Sequence, residues 1–131
     1  MLYKKRRKYK YNLHSDVAFN ARIDVEKART GKWLTINRNG DLVIKKGYSW
    51  DGPSGPTIDT KTFMRGSLIH DALYQLMREG FIAQHQRQRA DEILREICRA
   101  DGMSRVRAWW VYQGVRAGGA SSARPDLLSA P

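Results

Sequence analysis

An imidazole, two carboxylates and a phenol stand at spacings that can do chemistry. His70, Asp71 and Tyr74 fall in a segment whose apolar residues, Ile69, Ala72, Leu73, Leu76 and Met77, recur at helical period. On that helix His70, Leu73, Tyr74 and Met77 share a face, because positions three and four apart stack. His70 therefore borders the apolar stripe beside Tyr74, and Asp71 turns about a quarter-circle away. Downstream, Ala90, Ile93, Leu94, Ile97 and Cys98 mark a second helix, on which Asp91 shares a face with Leu94 and Cys98. A carboxylate bordering a core needs a partner, since burying an unpaired charge is costly. Antiparallel packing of the two helices across a short connection sets Asp91 opposite His70 and Tyr74.

In that arrangement Asp91 fixes the tautomer of His70 and leaves the other ring nitrogen to act as a general base. Asp71 can also hold a hard cation, together with backbone carbonyls from the loop Asp51-Gly52-Pro53-Ser54-Gly55-Pro56. Calcium favours such a set of one bidentate carboxylate, loop carbonyls and water, which makes Asp71, Gly52 and Gly55 the metal candidates. Zinc would want more His or Cys ligands than converge here. Asp59 is a further carboxylate on the loop side, either capping the first helix or bracing the loop. A competing reading keeps the same residues without chemistry: a buried Asp–His–Tyr network that holds two helices together.

The elements that must position these groups are legible in outline. Val17, Phe19, Ala21 and Ile23 alternate with polar residues, as in a half-buried strand. Trp33–Ile36 and Leu42–Ile44 flank Asn37-Arg38-Asn39-Gly40, and Asn39-Gly40 tolerates positive φ, so this segment predicts a β-hairpin. A third extended piece is expected at Gly47–Trp50, and the Gly- and Pro-rich loop follows it. The first helix should stop near Gly80 and the second at Gly102. Ser104 can cap a third helix running through Val106, Trp109, Trp110 and Val115 to Gly118-Gly119. The expected fold class is α+β: a small N-terminal antiparallel sheet or hairpin followed by about three packed helices. We expect a flexible basic arm at 1–12, a single domain at 13–118 and a disordered tail at 119–131.

Composition narrows the setting. The 131 residues leave room for one core, and 24 Lys and Arg against 13 Asp and Glu give a net charge of +11. That surplus attracts polyanions: nucleic acid, an anionic membrane face or an acidic protein. The arm Lys4–Lys10 interleaves bases with tyrosine and suits non-specific nucleic-acid contact, although a solvated tail is the plainer reading. Trp109, Trp110 and Tyr112 beside Arg105, Arg107 and Arg116 suit an anionic lipid interface; the plainer expectation puts at least one tryptophan in the core. Cys98 is the only cysteine, which excludes an internal disulfide, and among Ile93, Leu94 and Ile97 it reads as a buried apolar residue. A chain without disulfides suits a reducing host cytoplasm or a particle assembled there; no apolar run approaches a membrane span, and no signal peptide is expected.

Two resemblances sharpen this. Gly47-Tyr48-x-Trp50-Asp51-Gly52-Pro53-x-Gly55, His70-Asp71-x-x-Tyr74 and Arg87-x-x-Ala90-Asp91 resemble a family of bacteriophages and prophages, domain of unknown function 1353, from about Gly47 to Gly118. That resemblance implies a phage origin and no established activity. The same loop and helices resemble phospholipase A2, above all its disulfide-free viral capsid form. The second resemblance implies calcium bound by Asp71 and the loop at Gly52 and Gly55. It also implies water activated by His70, His70 oriented by Asp91, and Asp91 supported by Tyr74. Pro53, Ser54 and Pro56 depart from that family's loop. The functional expectation is a calcium-dependent, phospholipase A2-like lipid esterase acting on anionic membrane lipid. The alternative is a non-enzymatic virion or assembly protein whose partners are other phage virion proteins.

Overall fold

The computed structural model describes residues 3–5, 11–50 and 60–118. Strands β1 (Tyr3–Lys5), β2 (Tyr11–Leu13), β3 (Val17–Asn20), β4 (Arg29–Thr30), β5 (Leu34–Ile36), β6 (Asp41–Ile44) and β7 (Ser49–Trp50) occupy the first part. Helices α1 (Thr60–Arg78), α2 (Arg87–Ala100) and α3 (Arg105–Gly118) follow, with a short 3-10 turn, Gln84–Gln86, between the first two. The chain is therefore α+β, as the periodicities predict. Residues 6–10 of the expected arm, the loop with Gly52 and Gly55, Asp59 and the expected tail at 119–131 lie outside the described residues.

The hairpin forms where expected. β5 and β6 pair antiparallel with Leu34 opposite Ile44 and Ile36 opposite Leu42, so four buried aliphatic side chains share one face. Its turn is braced by Asn37, whose Oδ1 accepts from the backbone N–H groups of Asn39 and Asp41, and only Gly40 of the Asn39-Gly40 pair is left-handed. β3 adds to β6, and β4 to β5, which makes the sheet order β3-β6-β5-β4.

Two features depart from the sequence reading. The strand expected over Val17–Ile23 ends at Asn20, because Arg22 has φ 52° and Asn20 Oδ1 accepts from the Arg22 N–H at 2.9 Å. Ala21, Ile23 and Val25 are still buried, now from irregular chain rather than from the sheet. Within the expected arm, β1 pairs with β2, and β2 also pairs with β7, giving a second sheet in the order β1-β2-β7.

α1 lies against these sheets. Leu68, Ile69, Ala72, Leu73, Leu76 and Met77 join the strand residues Leu13, Leu34, Ile36, Leu42 and Ile44 in one core. Polar ties fix its position: Trp50 Nε1 donates to Ser67 Oγ at 3.1 Å, and Tyr48 Oη donates to Gln75 Oε1 at 2.9 Å. α1 and α2 each end in a paired closing turn. Gly80 N–H bonds Met77 O and Phe81 N–H bonds Leu76 O; Gly102 N–H bonds Arg99 O and Met103 N–H bonds Cys98 O. Ser104 Oγ accepts from the Arg107 N–H and opens α3.

α1 and α2 are antiparallel, since Arg65 forms a two-pronged ion pair with Asp101 at one end while His70 meets Asp91 further along. Their close approach is made possible by Gly66, where an added Cβ would lie 2.9 Å from Leu94 Cδ1 and 3.0 Å from Cys98 Sγ. α3 covers this junction through Ala108, Val111 and Val115, which pack on Phe63, Leu94, Cys98 and Met103.

Candidate active site

The site follows from that helix crossing. His70 projects from the core-facing side of α1 at 7% exposure, and Asp91 from α2 at 0%. A carboxylate so enclosed must be met by donors, and it is. Its Oδ1 lies 2.7 Å from His70 Nε2 and accepts from Tyr74 Oη at 2.6 Å. Its Oδ2 accepts from Arg116 Nη1 of α3 at 2.9 Å, and Arg87 Nη1, one turn earlier on α2, stands 3.7 Å from the same oxygen. Tyr74 also lies against His70, with ring centroids 4.2 Å apart. The phenol thus supports both members of the His–Asp pair.

Electrostatics follow from these distances. Burial alone would raise the Asp91 carboxyl; hydrogen bonds from His70 and Tyr74, the His70 charge and the Arg116 guanidinium outweigh it and hold the group below the ordinary aspartate value. Burial pulls His70 toward neutrality, but the carboxylates of Asp71 and Asp91 on either side prevail and hold the imidazole above its ordinary value. Tyr74 is pushed upward by burial and by the Asp91 charge it faces, so it stays a protonated donor. Arg87 Nη1 is buried and has no hydrogen-bond partner among the described residues; at 3.7 Å from Asp91 it contributes charge without a bond.

Asp71 sits on the other side of the imidazole, with Oδ1 at 3.9 Å from His70 Nδ1, and its side chain is 37% exposed. The two ring nitrogens of His70 are thus distinguished by their surroundings. Nε2 is committed to a buried carboxylate, while Nδ1 faces a half-exposed one beyond hydrogen-bond reach. Trp50 is bonded to Ser67, one turn before His70 and Asp71, and so stands close to the site.

The residues singled out from the sequence divide cleanly. His70, Tyr74 and Asp91 come together, and Asp71 stands next to them. Gly52, Gly55 and Asp59 lie outside the described residues. Among the described residues no group of three or more His, Cys, Asp and Glu side chains could hold a metal ion, so an all-side-chain metal cage is not formed there. Arg116 is the partner that sequence reasoning missed. Its one signal is its place next to Val115 at the edge of the stripe through Ala108, Val111 and Val115, where a cation can reach a buried carboxylate.

The tryptophans correct a further expectation. Trp109 and Trp110 are both exposed, at 41% and 64%, and neither is core; the small residues Ala108, Val111 and Val115 take the inward face instead. Cys98 is buried as expected, and burial foremost pushes its thiol up to about 12. Among the described residues no helix is long and apolar enough to cross a membrane.

No curated protein and no solved structure matches the chain. One family model does, over residues 32–115: it starts at the hairpin, takes in α1 and α2 with His70, Asp71, Tyr74, Arg87 and Asp91, and stops one residue short of Arg116. That span is more than half of the sequence, and the chain belongs to the family described as Protein of unknown function (DUF1353).

Proposed function

We propose that this chain is a phage-type, calcium-dependent lipid esterase of the phospholipase A2 kind, in which His70 is the general base. One observation carries the reading: His70 Nε2 is held at 2.7 Å by a fully buried carboxylate, leaving Nδ1 on the side of Asp71. A neutral imidazole with its proton on Nε2 donates to Asp91 and presents the Nδ1 lone pair. Nδ1 then takes a proton from water as the water oxygen attacks an ester carbonyl, and returns it to the departing alcohol. Asp91 steadies the transient imidazolium. Tyr74 and Arg116 keep Asp91 ionised and in place, so they position the base without touching substrate.

The donor set fits a hard cation better than zinc. Asp71 offers one carboxylate beside Nδ1, and Gly52 and Gly55 would add carbonyl oxygens. A calcium ion there would polarise the ester carbonyl and stabilise the oxyanion. The substrate class that suits a chain of net charge +11 is anionic phospholipid.

A second reading is favoured by a different observation. Asp91 is contacted from α1, α2 and α3 together, which is what a clasp joining three helices requires. On that reading the chain is a non-enzymatic virion or assembly protein.

The deciding experiment is fatty-acid release from phosphatidylglycerol vesicles by the wild-type chain and by His70→Gln, with calcium and with a chelator. The esterase reading expects calcium-dependent release that falls by a factor on the order of 100 or more in the variant. Wild-type protein that releases nothing, or a folded variant that releases as much, favours the clasp.

A further inference from the structure

One side of α3 stays exposed among the described residues. Ala108, Val111 and Val115 face inward. Val106, Trp110, Gln113 and Ala117, four and three residues apart, therefore form the opposite stripe, which carries no charge. Val106 is 66% exposed and Trp110 64%. Trp109 borders the stripe and meets Trp110 edge-to-face, with centroids 4.9 Å apart, so the two indoles form one raised aromatic ridge. Arg105 and Arg107 flank the start of this ridge, and Arg95 of α2 lies over the Tyr112 ring at its side.

From this face we infer that α3 docks the protein on an anionic lipid surface, with Trp109, Trp110 and Val106 entering the headgroup layer and Arg105 and Arg107 meeting lipid phosphates. Charge complementarity selects this occupant. A second copy would bring another +11 against the first, whereas an anionic bilayer attracts it. A nucleic-acid strand would call for cations along the length of the face, and its centre carries none. Indole rings, apolar in body with one polar N–H, favour the water–lipid boundary. The inference stands on the exposed face and goes beyond lipid hydrolysis, which it does not require.

The test uses the full chain in the presence of a chelator, so that binding is read without turnover. Co-sedimentation with phosphatidylglycerol vesicles and with phosphatidylcholine vesicles is compared for wild type, Trp109→Ala/Trp110→Ala and Arg105→Glu. Both tryptophans are exposed, so the double variant should keep the wild-type thermal transition, which serves as its folding control. Expected are partition onto phosphatidylglycerol with a blue-shifted indole emission, and binding about tenfold or more weaker in the double variant. Weaker binding of Arg105→Glu, of phosphatidylcholine and at raised salt is expected too. The inference is overturned by absence of binding to anionic vesicles, or by binding that the double variant retains in full. It is equally overturned if the tryptophans drive self-association, or capture of a single-stranded oligonucleotide, in place of vesicle binding. Vesicle binding without hydrolysis would defeat the esterase reading alone; hydrolysis of dispersed substrate without vesicle binding would defeat this one alone.

Discussion

Arg116 Nη1 donates to Asp91 Oδ2 at 2.9 Å, while His70 and Tyr74 share the other oxygen of the same carboxylate. α3, which brings no residue to the His–Asp pair itself, thus sets the charge balance behind it. Because Arg116 is partly exposed and Asp91 is not, the two ends of this pair differ in what their removal costs.

Removing the carboxylate should be the more damaging change. Asp91→Ala leaves a buried imidazole, a buried phenol and a guanidinium without their acceptor, for which about 3–5 kcal/mol is expected. Arg116→Met keeps the aliphatic stem and loses a solvent-screened pair, so about 1 kcal/mol is expected. Urea unfolding of both variants measures the difference, and an equal loss would contradict the burial argument.

His70 gives stability a pH dependence of defined sign. Its folded-state pKa is raised above 6.5, so its ionic contribution is fully present below 6.5 and is lost as pH rises through the folded value. Asp91 is lowered below 3.8, so its contribution is present above 3.8 and is lost as pH falls through its folded value. The stability gap between wild type and His70→Gln should therefore shrink on the alkaline side. A gap that stays constant with pH would show that the imidazole is not ionised in the folded protein.

The same shift predicts where an esterase would work. A general base must be deprotonated, so the rate should climb with pH along a limb lying above 6.5. Asp71→Asn removes one of the two carboxylates that raise His70 and should move any remaining limb to lower pH.

On the esterase reading, calorimetric titration with calcium should show saturable binding by the wild-type chain and none by Asp71→Asn. Binding of equal affinity in both proteins would remove Asp71 from the metal site, whatever the outcome of the lipid assay.

Gly66 connects packing to the site. Any side chain there meets Leu94 and Cys98, so Gly66→Val should force α2 away from α1 at a cost of about 2 kcal/mol. The separation should also lengthen the His70–Asp91 contact one turn away, which proton NMR of the imidazole would register as a changed titration. In the wild type Cys98 should stay inert to thiol reagents until the protein unfolds, because its thiol is buried and its pKa is pushed up to about 12.

The sequence by itself determined what rests on local periodicity. Apolar residues three and four apart define α1 and α2, and the closing glycines and Ser104 mark helix boundaries, because these signals act within one or two turns. The same periods put His70 and Asp91 at the borders of two stripes. Since buried carboxylates need donors, the simplest antiparallel packing predicted their meeting, and the tertiary structure made it. The β5–β6 hairpin was legible through alternation and its Asn-Gly turn.

Tertiary structure decided what depends on distant segments. The pairing of β2 with both β1 and β7, and the left-handed Arg22 that ends β3, have no short-range periodicity to announce them. The rotation of α3 was settled by packing: Ala108, Val111 and Val115 lie against Phe63, Leu94, Cys98 and Met103, while Trp109 and Trp110 stay exposed. That one rotation turns Trp109 and Trp110 outward and swings Arg116 onto Asp91. Steric fit between helices, rather than the preference of any single residue, therefore produced both the aromatic face and the cation behind the candidate base.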